Sequence, residues 1–266
     1  IYNSSKSQVG TFKLNHDGST TPATMTLNQG ETYYIKETKG NFWYAIDNEW
    51  YSFNTNNNTR NLVRYDNLKE YLVAFRKASA NPACTNGNPN YSLAGAEYVL
   101  RDATEYQSPA AFIVGYYTKA DSETGQTLSV PILRNTESTP FITDANGYLT
   151  YTFAYNGAST DITNYYPNAV VNGTTYKITF DASSPIRCPY GTYRLSETKA
   201  SKGYSKDPEC NDTYNKYHEF TTTDAITTIT CNEPPLLDPI VLELQKQDSE
   251  TGEINPLGSA SLSGAV

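Results

Sequence analysis

Apolar and polar residues alternate with a period of two in short runs along most of this chain. In the run 193–199, Tyr193, Leu195 and Glu197 are separated by more polar residues. Successive side chains of a strand point to opposite faces, so these three residues are predicted to share the face that packs against a core. A carboxylate in that position needs a partner or a raised pKa.

The run 32–39 repeats this pattern around Glu37. An aromatic and an aliphatic residue precede Glu37 at the same spacing, and a tyrosine follows each glutamate by seven residues, at Tyr44 and Tyr204. A solvated glutamate at a strand end would explain one such run. Its repetition favours a module that occurs twice and buries its glutamate for a chemical purpose.

The remaining alternations, together with many Thr and Tyr residues and turn-forming Asn, Gly and Pro, predict an all-β chain. No long helical period is present. A turn is predicted at 144–147, where Asp-Ala-Asn-Gly precedes a strand. Strands are expected at 10–14, 23–27, 32–38, 49–53, 61–65, 71–77, 98–101, 110–117, 128–134, 148–155, 176–180, 193–199, 217–222, 225–231 and 240–246.

Two strands end in a lysine on their apolar face. Lys77 follows apolar residues at 71, 73 and 75, and Lys246 follows apolar residues at 240, 242 and 244. Each lysine precedes a polar loop and a strand start rich in small residues, at 93–98 and 257–262. This repetition predicts an array of like domains. Lys119, which begins a loop sequence similar to that after Lys246, is an alternative, although no such strand start follows it.

We therefore expect three modules. Residues 1–69 form the C-terminal part of one module, 70–238 form a complete module with an insertion, and 239–266 begin a third. The proline-rich stretch 233–239 cannot continue a paired strand and is predicted to be a stiff linker. The chain begins and ends inside this pattern, so it is expected to be a piece of a longer protein.

The net charge of the chain restricts the classes of partner that it can bind. The 266 residues carry a net charge of −8, and the pI is near 4.8. An acidic protein of this kind is not suited to bind nucleic acid or anionic membrane surfaces. No run is long enough to span a membrane, and no signal peptide opens the chain.

The four cysteines are Cys84, Cys188, Cys210 and Cys231. No Cys-x-x-Cys pair is present and histidines are few, so no metal site is predicted. An even cysteine count in an acidic all-β chain is typical of an exported protein with disulfides. Cys188 and Cys210 flank the Glu197 segment and form the favoured pair, which leaves Cys84 with Cys231. Four buried thiols are the alternative.

The middle module combines three polar groups on strand faces, Lys77, Glu197 and Asn232. Burial favours a neutral lysine amine and a neutral carboxylic acid. A neutral Glu197 could donate a hydrogen bond to the Asn232 carboxamide, and the Lys77 amine could then attack its carbon, with Glu197 moving the protons. Ammonia would leave and an isopeptide bond would remain. The event occurs once, so it is maturation and not enzymatic turnover, and it needs no cofactor.

These motifs resemble the Cna B-type, or SpaA-like, isopeptide-forming domains of Gram-positive surface adhesins and pilins. The resemblance rests on Lys77, the start Leu93–Ala96, the segment Tyr193–Tyr204 and the end Asn232–Pro234. It implies tandem Ig-like (prealbumin-like) β-sandwich modules, one complete and two partial. It also implies a Lys77–Asn232 bond assisted by Glu197, a bacterial cell-wall-anchored location and neighbouring modules of the same protein as partners.

The flanking modules match in part. In the first, Glu37 corresponds to Glu197, and Asp66 or the adjacent Asn67 is expected at the acyl position, with a lysine that would lie before residue 1. In the last, Lys246 corresponds to Lys77, and its glutamate and asparagine would lie beyond Val266.

Two functions are compatible with this sequence. The first is a structural stalk or repeat region of an adhesin or pilus, stabilised by the intramolecular bond. The alternative is an adhesin module that recognises a host glycan or matrix protein through the insertion Gln107–Ser184, which is rich in Tyr, Asn and Thr. A turnover enzyme has little support, because no nucleophile motif accompanies either histidine.

Overall fold

The computed structural model describes residues 1–15, 19–56, 64–104, 108–122, 125–207, 217–236 and 246–247. The chain forms two compact units, Ile1–Pro235 and Leu236–Val266. In the second unit the described residues are Leu236, Lys246 and Gln247, so the fold below is that of the first. Among the described residues, no helix has the length and apolarity that a membrane crossing requires.

The prediction of an all-β chain is confirmed. Only two helices accompany the strands of the described segments, α1 (Pro82–Thr85) and α2 (Thr160–Thr163), and each has a single turn. The strands are β1 (Lys13–Leu14), β2 (Thr20–Thr21), β3 (Thr32–Ile35), β4 (Tyr51–Asn54), β5 (Tyr71–Ser79), β6 (Glu97–Asp102), β7 (Phe112–Ala120), β8 (Thr127–Arg134), β9 (Phe141–Thr143), β10 (Leu149–Ala154), β11 (Val170–Asn172), β12 (Thr175–Phe180), β13 (Ile186–Cys188), β14 (Thr192–Lys199), β15 (His218–Thr221) and β16 (Thr227–Glu233).

Twelve of these strands form two sheets that enclose one core. The larger sheet has the order β11-β12-β10-β9-β6-β14-β15, and the smaller has the order β16-β5-β13-β7-β8. Apolar residues of both sheets meet between them, as in the contact of Phe75 on β5 with Tyr98 on β6, whose ring centroids are 4.8 Å apart. Burial of these side chains supplies the main driving force for the sandwich.

The first and last strands of the sandwich are neighbours. β16 pairs with β5 in parallel, with Cys231 opposite Lys77 and Glu233 opposite Ser79. The other strand pairs of both sheets are antiparallel among the described residues. The parallel pair therefore connects the two ends of the sandwich within a single sheet.

The insertion contributes strands to both sheets. β7 and β8 extend the smaller sheet, and β10 and β12 lie in the larger one. Many of its aromatic rings are buried in the core, where Phe112 contacts Phe141 at 4.9 Å and Tyr151 at 5.0 Å between ring centroids. Its aromatic composition therefore serves mainly to fill the sandwich.

Residues before β5 form two small pairs, β1 with β2 and β3 with β4. They contact the sandwich where the Tyr71 hydroxyl donates a hydrogen bond to the Phe42 carbonyl (2.9 Å) and the Phe42 ring stacks on Tyr190. The predicted strand at 23–27 is wrong, because these residues lie outside any ladder. The expected strand at 61–65 falls largely on residues outside the described segments.

Candidate functional site

β5 delivers Lys77 to the core by simple alternation. Tyr71, Val73, Phe75 and Lys77 are all buried, and the residues between them are less so. The backbone N–H of Lys77 donates to the carbonyl of Gly147 (2.8 Å). A Cβ on Gly147 would come within 2.1 Å of the Lys77 carbonyl oxygen, and its φ is +81°. The predicted 144–147 turn is confirmed, and its glycine allows the close approach.

β14 delivers Glu197 to the same place from the opposite sheet. Glu197 Oε1 lies 3.4 Å from Lys77 Nζ. Glu197 Oε2 accepts a hydrogen bond from the backbone N–H of Asp207 (2.8 Å). The Tyr204 ring lies over the amine, with its centroid 5.3 Å from Nζ. The predicted approach of Lys77 and Glu197 is therefore present.

β16 brings a third charged group, and that group is Glu233. Lys77 Nζ is in contact with Glu233 Oε2, and the Tyr98 hydroxyl donates a hydrogen bond to Glu233 Oε1 (2.7 Å). Lys77, Glu197 and Glu233 are each 0% exposed. The structure thus encloses one amine and two carboxyl groups between the first strand, the last strand and β14.

Asn232, the predicted partner, is not brought to this cluster. Its side chain is exposed, because Ile229, Cys231 and Glu233 alternate inward on β16 and leave Asn232 on the outer face. The signal was available in the sequence. The period of two counted from Ile229 selects positions 231 and 233 and excludes 232. A motif that ends in Asn-Glu-Pro instead points to Asn232.

Burial controls the protonation of the cluster. Loss of hydration lowers the pKa of the Lys77 amine, although the nearby Glu197 charge opposes this effect. Loss of hydration raises the pKa of the Glu197 carboxyl, although Lys77 and the Asp207 N–H oppose it. Both shifts favour the uncharged forms, a nucleophilic amine and a carboxylic acid. The site thus holds a buried amine beside two carboxyl groups.

The residues before β5 contain a related arrangement around Glu37. Glu37 Oε2 accepts the backbone N–H of Asp47 (2.5 Å), ten residues later, as Glu197 does from Asp207. Asp66 and Asn67, the two predicted acyl candidates, are both exposed there. They line an open cleft of about 500 Å³ together with Asp47.

The other predicted lysines lie elsewhere. Lys119, the alternative to Lys77, is exposed near the end of β7. Lys246 is exposed as well, and the strand expected to precede it lies outside the described residues. Among the described lysines, Lys77 is the one whose amine is enclosed with carboxyl groups.

The predicted pairing of Cys84 with Cys231 is not formed. Cys84 is exposed on α1, whereas Cys231 is buried on β16. Cys188 is buried in apolar surroundings that raise its thiol pKa to about 12, and its expected partner Cys210 lies outside the described residues. The described segments contain no disulfide.

Asp207, His218 and Cys231 form one further polar group beside the cluster. One ligand atom from each lies within 4.8 Å of the others, and His218 Nε2 is 3.4 Å from Asp207 Oδ2. The contact between Asp207 and His218 is one polar interaction within this group.

A scan against protein-family models and a search of curated proteins each found no match. Among solved structures, the chain is similar to the Bacillus anthracis TIE protein, with 14% identity over 77% of this chain and 25% of that chain and a TM-score of 0.39. It is similar to the group B streptococcus pilus 2b backbone protein, with 18% identity over 66% of this chain and 47% of that chain and a TM-score of 0.27. It is also similar to a minor pilin of Streptococcus agalactiae, with 15% identity over 87% of this chain and 70% of that chain and a TM-score of 0.30.

The chain thus spans a quarter of the first of these proteins and about half of the second. Because identities and TM-scores are this low, a functional proposal for this chain rests on its own residues.

Proposed function

We propose that this chain is a load-bearing structural segment of a bacterial surface adhesin or pilus. In this proposal the sandwich is locked by one covalent bond from Lys77 on β5 to an acyl group on β16. The observation that carries it is the buried Lys77 amine, which lies against Glu197 and against the last strand of the fold. Proximity fixed by folding replaces an external enzyme.

The position of the bond gives it a mechanical role. It would connect the first strand to the last and close a loop of about 155 residues, for which the loop-entropy estimate is about 5 kcal/mol. Tension applied at the two ends of the sandwich would pass through the bond, and the enclosed strands would carry none of it. A stalk between neighbouring modules of an extracellular, wall-anchored protein requires this property.

The ligand-binding alternative has weaker support. In that alternative the insertion would present its aromatic residues as a binding surface, whereas the rings of Tyr151, Tyr166 and Tyr176 lie in the core. In this proposal, the chemistry of the protein is a single maturation event and not a turnover reaction.

Stretching single molecules of the full chain tests the mechanical proposal. Lys77→Ala should lengthen the unfolding step by about 500 Å, since about 155 residues extend by up to about 3.4 Å each. Lys119→Ala changes an exposed lysine outside the cluster and serves as the matched control, with a step equal to that of the unaltered chain. Equal steps for Lys77→Ala and the unaltered chain would rule out the load-bearing bond.

A further inference from the structure

We propose that the acyl partner of Lys77 is Glu233 and not Asn232, so that the bond forms with loss of water. This inference rests on the proposed function and specifies its chemistry. With Glu233 as the partner, the cluster consists of one amine and two carboxyl groups that have different roles. Glu233 is consumed in the bond, and Glu197 moves protons.

The contacts on β16 favour Glu233. Its Oε2 touches Lys77 Nζ, and both side chains are fully buried. Asn232 is the adjacent residue, but its exposed side chain lies on the other face of β16. For Asn232 to reach Lys77, β16 would have to shift by one residue against β5. That shift would expose Ile229 and Cys231 and is opposed by their burial.

The two oxygens of Glu233 have unlike surroundings. Oε1 accepts the Tyr98 hydroxyl hydrogen bond (2.7 Å), whereas Oε2 lies against Lys77 Nζ. During attack on the carboxyl carbon, negative charge develops on the oxygen that remains. Tyr98 is placed to stabilise that charge on Oε1. Oε2 is then the oxygen that leaves.

The Glu37 module independently places a carboxylate at the matching position. Tyr44 and Tyr204, each seven residues after its glutamate, form antiparallel bridges to Leu68 and Pro235 respectively. Two residues before these bridge partners stand Asp66 and Glu233.

A second hydrogen bond fixes the same alignment. The residue after each tyrosine donates its N–H to the carbonyl that follows the acid, Ala45 to Asn67 (2.8 Å) and Ser205 to Pro234 (3.1 Å). By structure, Asp66 therefore corresponds to Glu233. A carboxylate occupies the acyl position in both modules.

The reaction balances within the cluster. The neutral Lys77 amine attacks Cδ of a protonated Glu233, and the Nζ–Cδ bond forms while the carbonyl electron pair moves to Oε1. Glu197, present as the neutral acid, gives its proton to the Oε2 hydroxyl and takes one from Nζ, and Oε2 lies against the same nitrogen. The Cδ–Oε2 bond breaks, water leaves, and Glu197 ends in the protonation state in which it began.

Intact-mass measurement of the denatured full chain, followed by peptide mapping, decides between the partners. We expect loss of one water and a linked peptide containing Lys77 and Glu233. Loss of one ammonia with a Lys77–Asn232 peptide would overturn this inference and leave the load-bearing proposal standing. The full sequence mass would overturn both.

Substitutions of the two adjacent residues test which of them is the acyl partner. Glu233→Gln keeps the shape of the side chain, and its product should be lighter by one ammonia where the unaltered chain loses water. Asn232→Ala is the matched control on the adjacent residue and should still lose water completely. Complete bond formation in Glu233→Ala, or its loss in a folded Asn232→Ala, would contradict the role of Glu233.

Discussion

The regions around Glu37 and Glu197 share a local hydrogen-bond pattern and differ in their surroundings. Both glutamates accept a backbone N–H from an aspartate ten residues later. Glu197 is fully buried with Lys77 and Glu233, whereas Glu37 is half-buried and Asp66 is exposed. The strand and the turn after it therefore fix the hydrogen bond. The burial of a carboxyl group beside a lysine requires β5, the strand that carries Lys77.

The tyrosines show the same contrast. Tyr204 is 5% exposed and covers the Lys77 amine, whereas Tyr44 is 44% exposed. Both form an antiparallel bridge, Tyr44 to Leu68 and Tyr204 to Pro235. Backbone pairing in this motif thus forms without the buried chemistry, and the desolvation that shifts the pKa values comes from the completed sandwich.

Removing Lys77 should make the second module resemble the first, with the largest effect on stability. Lys77→Met keeps an unbranched side chain but removes the amine from which the proposed bond forms. We expect the free energy of unfolding to fall by about 5 kcal/mol through loss of the closed loop. Denaturant unfolding measures it. A loss within about 1 kcal/mol of the Lys119→Ala control would contradict the prediction.

The same alanine substitution in both modules should give unequal losses. Glu37→Ala removes the acceptor of one half-buried N–H and should cost about 1 kcal/mol. Glu197→Ala should leave the bond unformed, so its loss should reach about 5 kcal/mol, as expected for Lys77→Met, and the buried Asp207 N–H also loses its acceptor. Thermal unfolding and intact mass of both variants test this difference. Equal losses would show that burial does not distinguish the two glutamates.

The smallest expected effect is a difference in alkaline pH dependence. In Glu233→Ala, Lys77 stays a titratable amine with a folded-state pKa below its ordinary 10.5. As pH rises from that lowered value to 10.5, the unfolded state binds more protons than the folded state, so stability should increase. In the unaltered chain the proposed bond would make Lys77 an amide, so this increase should be absent. Denaturant unfolding at several alkaline pH values compares the two, and identical slopes would contradict the prediction.

Much of this architecture follows from the period of two. The face of β5, the inward Glu197 and the Gly147 turn were predicted, because each depends on a few consecutive residues. The strands β9, β11 and β13 were missed, since three residues are too few to show a period. They are strands because neighbours in the sheet pair with them.

The inward residue at the end of β16 was predictable from the period of two, whereas motif similarity points to Asn232. Alternation from Ile229 places Glu233 inward, and only the parallel register with β5 shows that Glu233 reaches Lys77. The role of the insertion was not predictable from composition, because a tyrosine-rich segment suits a binding surface and a core equally. The sheet order shows that strands of the insertion belong to both sheets, and many of its aromatic side chains pack in the core.

The parallel pairing of β16 with β5 also sets the time at which the chemistry can start. Lys77 and Glu197 are synthesised before β16, whose residue Glu233 completes the cluster from the far end of the fold. Chains are made from the N-terminus, so in the proposed chemistry every partly made sandwich holds the Lys77 amine and Glu197 but lacks the acyl group of Glu233. The amide can form only after the last strand is seated. The covalent bond would thus be present only in molecules that have folded completely.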